Sequence, residues 1–347
     1  MNHRRALFGR CTSIGVLGLA AATGLAGCTA IEVKLGTRVH LDKVPVTTIE
    51  ASLPNGPAMA PGTTSPMVVT FTDSSGKEWV TEGKGKGKIL WSDLTITPSV
   101  VTVNKKGVLS LAHDPRKSDG KTGQVEISVP SHPELHASLT IPVRYDYPFV
   151  AHFDGANGAP GMDGMNGSDG MLGSSGSMGS CGVDSSSNSP GGNGGDGENG
   201  TDGGNGGDGG NGGDAPPVRV MVALRQGEHP LLQAVVSAPR WKDRHFLIDP
   251  QGGSLAIKAI GGEGGSGGRG GKGGRGGSGG SGGYGCPPGM SGNRGLDGRD
   301  GMAGNDGSPG RDGTITITYD PAAKPFLAAI KSSPNPVYQE ASVAPLW

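Results

Sequence analysis

Gly161-Met162-Asp163-Gly164-Met165-Asn166-Gly167 and Gly203-Gly204-Asn205-Gly206-Gly207-Asp208-Gly209 decide how this chain is read, because glycine returns at every third residue. The step is kept in four runs, 155–180, 191–214, 261–285 and 289–313, which open on Gly155, Gly191, Gly261 and Gly289. A period of three fits neither an α-helix nor a strand. It is the period of an extended left-handed helix with three residues per turn and a rise of roughly 3.1 Å, so each run predicts a rod of roughly 75 Å. A glycine edge has no side chain, and a neighbouring backbone can approach it and exchange N–H···O=C bonds. Runs two and three double the glycine, as in Gly191-Gly192-Asn193 and Gly264-Gly265-Ser266, and so bare two edges. They are expected inside a four-rod bundle, with runs one and four outside.

The remaining positions carry a second pattern. Run two holds a row of acids and amides that includes Asp202 and Asp208, and run three holds Arg269, Lys272 and Arg275. Opposed rows would pair charge between rods and choose an alignment, at roughly 0–1 kcal/mol for each exposed pair. The alternative is a solvated charge row.

The chain has 347 residues, 68 of them glycine, with 4% aromatic and 33% hydrophobic content. That composition leaves room for a modest core beside the runs and excludes one ordinary globule. Without Arg4, Arg5 and Arg10 of the leader described next, the 30 basic residues become 27 against 31 acidic ones, a formal −4. The balance gives no support to nucleic-acid binding.

Residues 1–27 have a basic start, an apolar stretch from Ile14 to Leu25 and then Leu25-Ala26-Gly27-Cys28. The apolar stretch is too short to stay in a membrane. This segment resembles the bacterial lipoprotein signal peptide. The resemblance implies that Cys28 is lipidated and becomes the mature N-terminus, with acyl chains holding the protein at a bilayer. Thr29 in place of an aspartate makes the outer membrane or cell surface the expected location. Sec and twin-arginine export both stay open. Cys181 and Cys286 end runs one and three. If odd runs go out and even runs return, the two cysteines meet at one tip, and an oxidising compartment predicts a disulfide between them. Free thiols and a metal site are the alternatives.

After a linker at 28–45, residues 46–147 alternate apolar and polar positions between Gly, Pro, Asn and Asp turns, the pattern of an antiparallel sandwich. Val125, Ile127 and Val129 should share a core with Leu139, Ile141 and Val143, and Phe71, Trp79 and Trp91 are the large fillers. Trp91-Ser92-Asp93 and the stretch from Pro98 to Val108 resemble bacterial immunoglobulin-like domains of surface proteins. Residues 148–320 carry the runs. Strand-like segments at 148–153, 218–224, 231–237, 245–248, 255–260 and 314–319 predict a small β base, mostly within the insert 217–260. Ala322 to Lys331 reads as a short helix on that base, inside a tail, 321–347, with no other legible structure.

Catalytic patterns are missing. The histidines show no zinc-ligand spacing. Gly276-Gly277-Ser278-Gly279-Gly280 has no strand-to-helix elbow around it, and Gly120-Lys121-Thr122 follows Pro115 where a phosphate loop needs glycine. No cofactor, metal or catalytic residue is expected, weak calcium binding by run two apart. The fold expected is mostly β plus extended helices: an immunoglobulin-like sandwich, then a polyglycine II bundle on its β base. Such bundles are similar to those of some antifreeze and phage-adhesin proteins, and the whole chain resembles bacterial glycine-triplet, collagen-like surface lipoproteins. An anchor and a rod module without a catalytic constellation predict a lipid-anchored, non-enzymatic envelope protein with a structural or adhesive role. A collagen-like homotrimer, a disordered spacer, a binding module for glycan, ice or protein, and an enzyme using His229, His245 and Asp249 are the competing readings.

Overall fold

A computed structural model describes residues 32, 33 and 35–347. The signal segment and Cys28 lie outside the described residues. The structure is mostly β, built from several small sheets, and the chain divides into two units. The first ends at Arg144 and the second begins at Tyr145, except that Asp114–Arg116 group with the second.

In the first unit, β1 (Val46–Ser52), β2 (Thr64–Pro66), β3 (Val68–Asp73), β4 (Glu78–Val80), β5 (Thr95–Ser99), β6 (Val101–Val103), β7 (Val108–Leu111), β8 (Gly123–Val129) and β9 (His132–Ile141) form three small antiparallel sheets. Their orders are β1-β3-β4, β2-β7-β6 and β5-β8-β9. Two-residue alternation puts Val125, Ile127 and Val129 on one buried face, which Ile141, paired with Gly123 on the next strand, shares. Leu139 and Val143 are half-buried against the same core. Phe71 is fully buried, which removes enough apolar area to contribute roughly 2–3 kcal/mol. Trp91 is buried as expected, and Gly107 lies against its ring with φ +70°, where an added Cβ would strike the indole. Trp79 is only half-buried. It packs against the edge of the core, and its Nε1–H reaches Asp73 Oδ2 at 2.9 Å.

The second unit contains β10 (Pro148–His152), β11 (Val218–Arg225), β12 (Leu231–Ser237), β13 (Arg244–Ile248), β14 (Ser254–Lys258), β15 (Ile315–Tyr319), β16 (Ile330–Ser333) and β17 (Val337–Glu340). One sheet has the order β10-β14-β16, all parallel; the other has the order β13-β12-β11-β15-β17. Val220, Val222, Leu232, Val236, Leu247, Leu255, Ile257 and Ile317 are fully buried, and Phe149 meets Phe246 with ring centroids 5.9 Å apart. The expected helix at 322–331 is a 3-10 helix, Pro321–Ala329, whose first turn is capped by Asp320 accepting the Ala322 N–H. Ile330 and Lys331 belong instead to β16. The tail is ordered as well, because β17 adds to β15 and Gln233, fully buried, exchanges hydrogen bonds with Leu346 and Trp347.

Candidate functional site: the glycine runs and their tip

Each run is the direct continuation of a base strand or leads directly into one. β10 feeds run one and β14 feeds run three, and these two strands are parallel with Pro148 beside Ser254. Run two enters β11 and run four enters β15, also parallel, with Val218 beside Ile315. The apolar alternation of the strands fixes a register that glycine alone does not specify.

The backbone bonds keep that register outward. Gly158, Gly161 and Gly164 of run one donate to Glu263, Ser266 and Arg269 of run three, so these runs are parallel. Gly204 and Gly207 of run two donate to Met165 and Met162 of run one, in antiparallel order. Gly194 and Gly206 donate to Met290 and Met302 of run four, again parallel. Gly265 and Gly268 of run three donate to Gly210 and Gly207 of run two, and Gly292 and Gly295 of run four donate to Gly280 and Gly277 of run three. Runs two and three, which double the glycine, are thus each bonded to three other runs. Runs one and four are each bonded to two. The opening glycines follow the same rule: a Cβ on Gly155, Gly191, Gly261 or Gly289 would land on the carbonyl of Gly213, Gly283, Gly310 or Gly192 respectively.

The acid and amide rows have a role other than the charge pairing expected for them. Asp202 Oδ1 accepts the backbone N–H of Arg299 at 2.7 Å and Asp208 Oδ1 that of Asn305 at 2.7 Å, both on run four. Asn193, Asp196, Asn199, Asn205, Asn211 and Asp214 continue the ladder in the same way. Arg269, Lys272 and Arg275 give their backbone N–H groups to Asp163, Asn166 and Asp169 of run one. Among the described residues no ion pair joins Asp202 or Asp208 to these three cations. A third ladder runs from Asp297, Asp300, Asp306 and Asp312 to glycine N–H groups of run three. What these positions share is a short side chain with a carbonyl-type oxygen, which satisfies donors that the glycine bonds leave over. The signal in the sequence was the alternation of Asn with Asp, since an amide carries no charge to pair.

At the mouth of the runs, Asp154 Oδ1 accepts the Ile260 N–H at 2.9 Å, and His152 Nδ1 lies 3.1 Å from its other oxygen. Burial raises this carboxyl, but the Ile260 N–H and the His152 ring outweigh it, and the net shift is downward. At the other end Cys181 and Cys286 form a disulfide, with Cα atoms 5.2 Å apart, joining the ends of runs one and three.

The structure does not bring the expected candidates His229, His245 and Asp249 into one hydrogen-bonded group. His245 packs on the Trp347 ring, and burial pushes its imidazole below the usual histidine value. Asp249 Oδ1 accepts the Gln251 N–H. No group of three or more His, Cys, Asp or Glu is arranged to hold a metal ion among the described residues, and no described helix is long and apolar enough to cross a membrane. No protein-family model, no curated protein and no solved structure matches the chain.

Proposed function

We propose that this is a lipid-anchored, non-enzymatic protein of the bacterial envelope that presents a stiff glycine-rod module for structural or adhesive contact. In this reading Cys28 carries the lipid, residues 46–147 are an immunoglobulin-like sandwich following the anchor in the chain, and the runs are four polyglycine II rods on a β base. The observation that carries the rod reading is the unbroken series of intrachain N–H···O=C bonds between runs, stapled by the Cys181–Cys286 disulfide. A disordered spacer needs neither. Glycine loses more freedom on ordering than any other residue, so a chain that orders so much of it requires lateral bonds and a covalent closure to offset the cost.

A collagen-like homotrimer is less well supported, because glycine N–H groups of every run already donate to carbonyls of other runs of the same chain. An ice-binding face is also disfavoured: it would present a regular row of Thr, and Thr201 Oγ1 is engaged by the Ser168 N–H. The protein requires no cofactor in this account, and its envelope partner is reached through the rods. Two measurements test it. Palmitate labelling of the expressed full chain should be lost on Cys28→Ser. A mass-resolved, non-reducing peptide map should give a monomer with an internal Cys181–Cys286 link. A trimer that melts like collagen would replace the reading.

A further inference from the structure

The chain has ten methionines, and six of them lie on runs one and four. Met162, Met165, Met171 and Met178 of run one and Met290 and Met302 of run four are between 71% and 87% exposed. Runs two and three carry none. A thioether side chain ordinarily fills an apolar interior, as Met59 and Met67 do here at 2% and 1% exposure.

On the outer runs the side chain beyond Cβ contributes no hydrogen bond. Met162 and Met165 hold run two through their carbonyl oxygens, which accept from Gly207 and Gly204. Met290 and Met302 give their N–H groups to Asn193 and Asn205 and accept from Gly194 and Gly206 through their carbonyls. Adding an oxygen atom to these sulfurs therefore leaves every bond between runs in place. The same addition at Met59 or Met67 would put a polar sulfoxide into a packed core.

We propose that runs one and four form a reversible oxygen-atom-accepting surface, whose substrates are small two-electron oxidants such as hydrogen peroxide. A sulfur lone pair attacks one peroxide oxygen, the O–O bond breaks as the S–O bond forms, and the departing hydroxide takes the hydroxyl proton to leave as water. Sulfur is oxidised by two electrons and the peroxide is reduced by two. The return step needs a thiol-dependent sulfoxide reductase, whose two thiols become a disulfide while the oxygen leaves as water.

The test treats the full chain in detergent micelles with limiting hydrogen peroxide and maps the methionines by peptide mass. The six outer-run residues should oxidise at least about tenfold faster than Met59 and Met67, as expected for free against buried thioethers. The six-oxygen form should melt as the untreated protein does, and a thiol-dependent sulfoxide reductase should restore its mass. A variant with all six changed to Leu should fold alike and lose most of the peroxide uptake. Comparable oxidation of Met59 and Met67, a lowered melting temperature after six additions, or sulfoxides that the reductase leaves untouched would each overturn the proposal.

Discussion

Asp202 Oδ1 accepts the backbone N–H of Arg299 across 97 residues of chain, the same separation that sets Val218 beside Ile315 where these two runs become strands. Asp163 and Arg269 are 106 apart, and so are Pro148 and Ser254 in the parallel pair β10 and β14. The offsets chosen by apolar side chains in the base are carried unchanged along the runs by a ladder of Asn and Asp oxygens.

The ladder requires an acceptor and no charge. Asp202→Asn should therefore melt like the parent, whereas Asp202→Ala removes one exposed bond and should cost about 0.5–1 kcal/mol. Thermal melting of the two variants checks this. Equal loss in both would return the carboxylate to an electrostatic role.

Two neighbouring kinds of glycine should respond in opposite ways. A Cβ on Gly274 would fall on the Ser168 carbonyl oxygen, backbone that has nowhere to go, and Gly274→Ala should cost about 3 kcal/mol. Gly204 is exposed, and a Cβ there meets Met165 N at 3.2 Å. One triplet away, Thr201 already uses this geometry, its Oγ1 accepting the Ser168 N–H at 2.7 Å. Gly204→Ser should thus be neutral, or stabilising by about 0.5 kcal/mol through a less free unfolded chain. Denaturant titration of both variants distinguishes the two edges.

Opening the tip should be costly. The disulfide closes 105 residues, and replacing both cysteines with serine should destabilise the second unit by roughly 4–5 kcal/mol in the chain-entropy account. Reduction of the parent should reproduce the loss, read as a lower melting temperature of that unit with the first unit unchanged.

In the first unit, Asp73 gives a pH prediction. Hydrogen bonds from the Ser75 hydroxyl and then the Trp79 indole hold its carboxyl far below the ordinary value of 3.8. A depressed folded pKa contributes stability that is complete above the unfolded value and is lost as pH falls from there through the folded one. The Trp79 indole N–H resonance should hold its position down to about pH 4 and move only in stronger acid. Asp73→Asn should abolish that movement.

Much of this architecture is legible in the residues, for identifiable reasons. Glycine spacing announces the runs and their inner and outer members, since only an edge without Cβ admits a neighbouring backbone on a second side. Val218–Arg225 and Leu231–Ser237 are legible because their apolar residues cluster between turn signals. The tail strand Val337–Glu340 is not, because all four of its residues are exposed and its place comes from pairing with β15 and from distant partners of Glu340 and Tyr338, namely Lys324 and Tyr319. Asp202 and Asp208 invite a charge reading because Arg and Lys occupy the same period on run three. Which run faces which depends on topology, and run two turns this row toward run four. Trp79 reads as core from its size, and it does pack against the core, but it stays half-buried because its indole N–H is held by the Asp73 carboxylate, which its size alone does not announce.

The central claim is that the glycine runs are held by bonds between backbones, and residue-resolved amide hydrogen exchange tests it most directly. The N–H groups of Gly203, Gly206, Gly268 and Gly271, which donate to Arg299, Met302, Gly207 and Gly204, should be strongly protected. Those of Glu198 and Thr201, bonded to Met171 and Ser168, should be protected too. Exchange at the rate of an unfolded peptide throughout 155–180, 191–214, 261–285 and 289–313 would contradict the account.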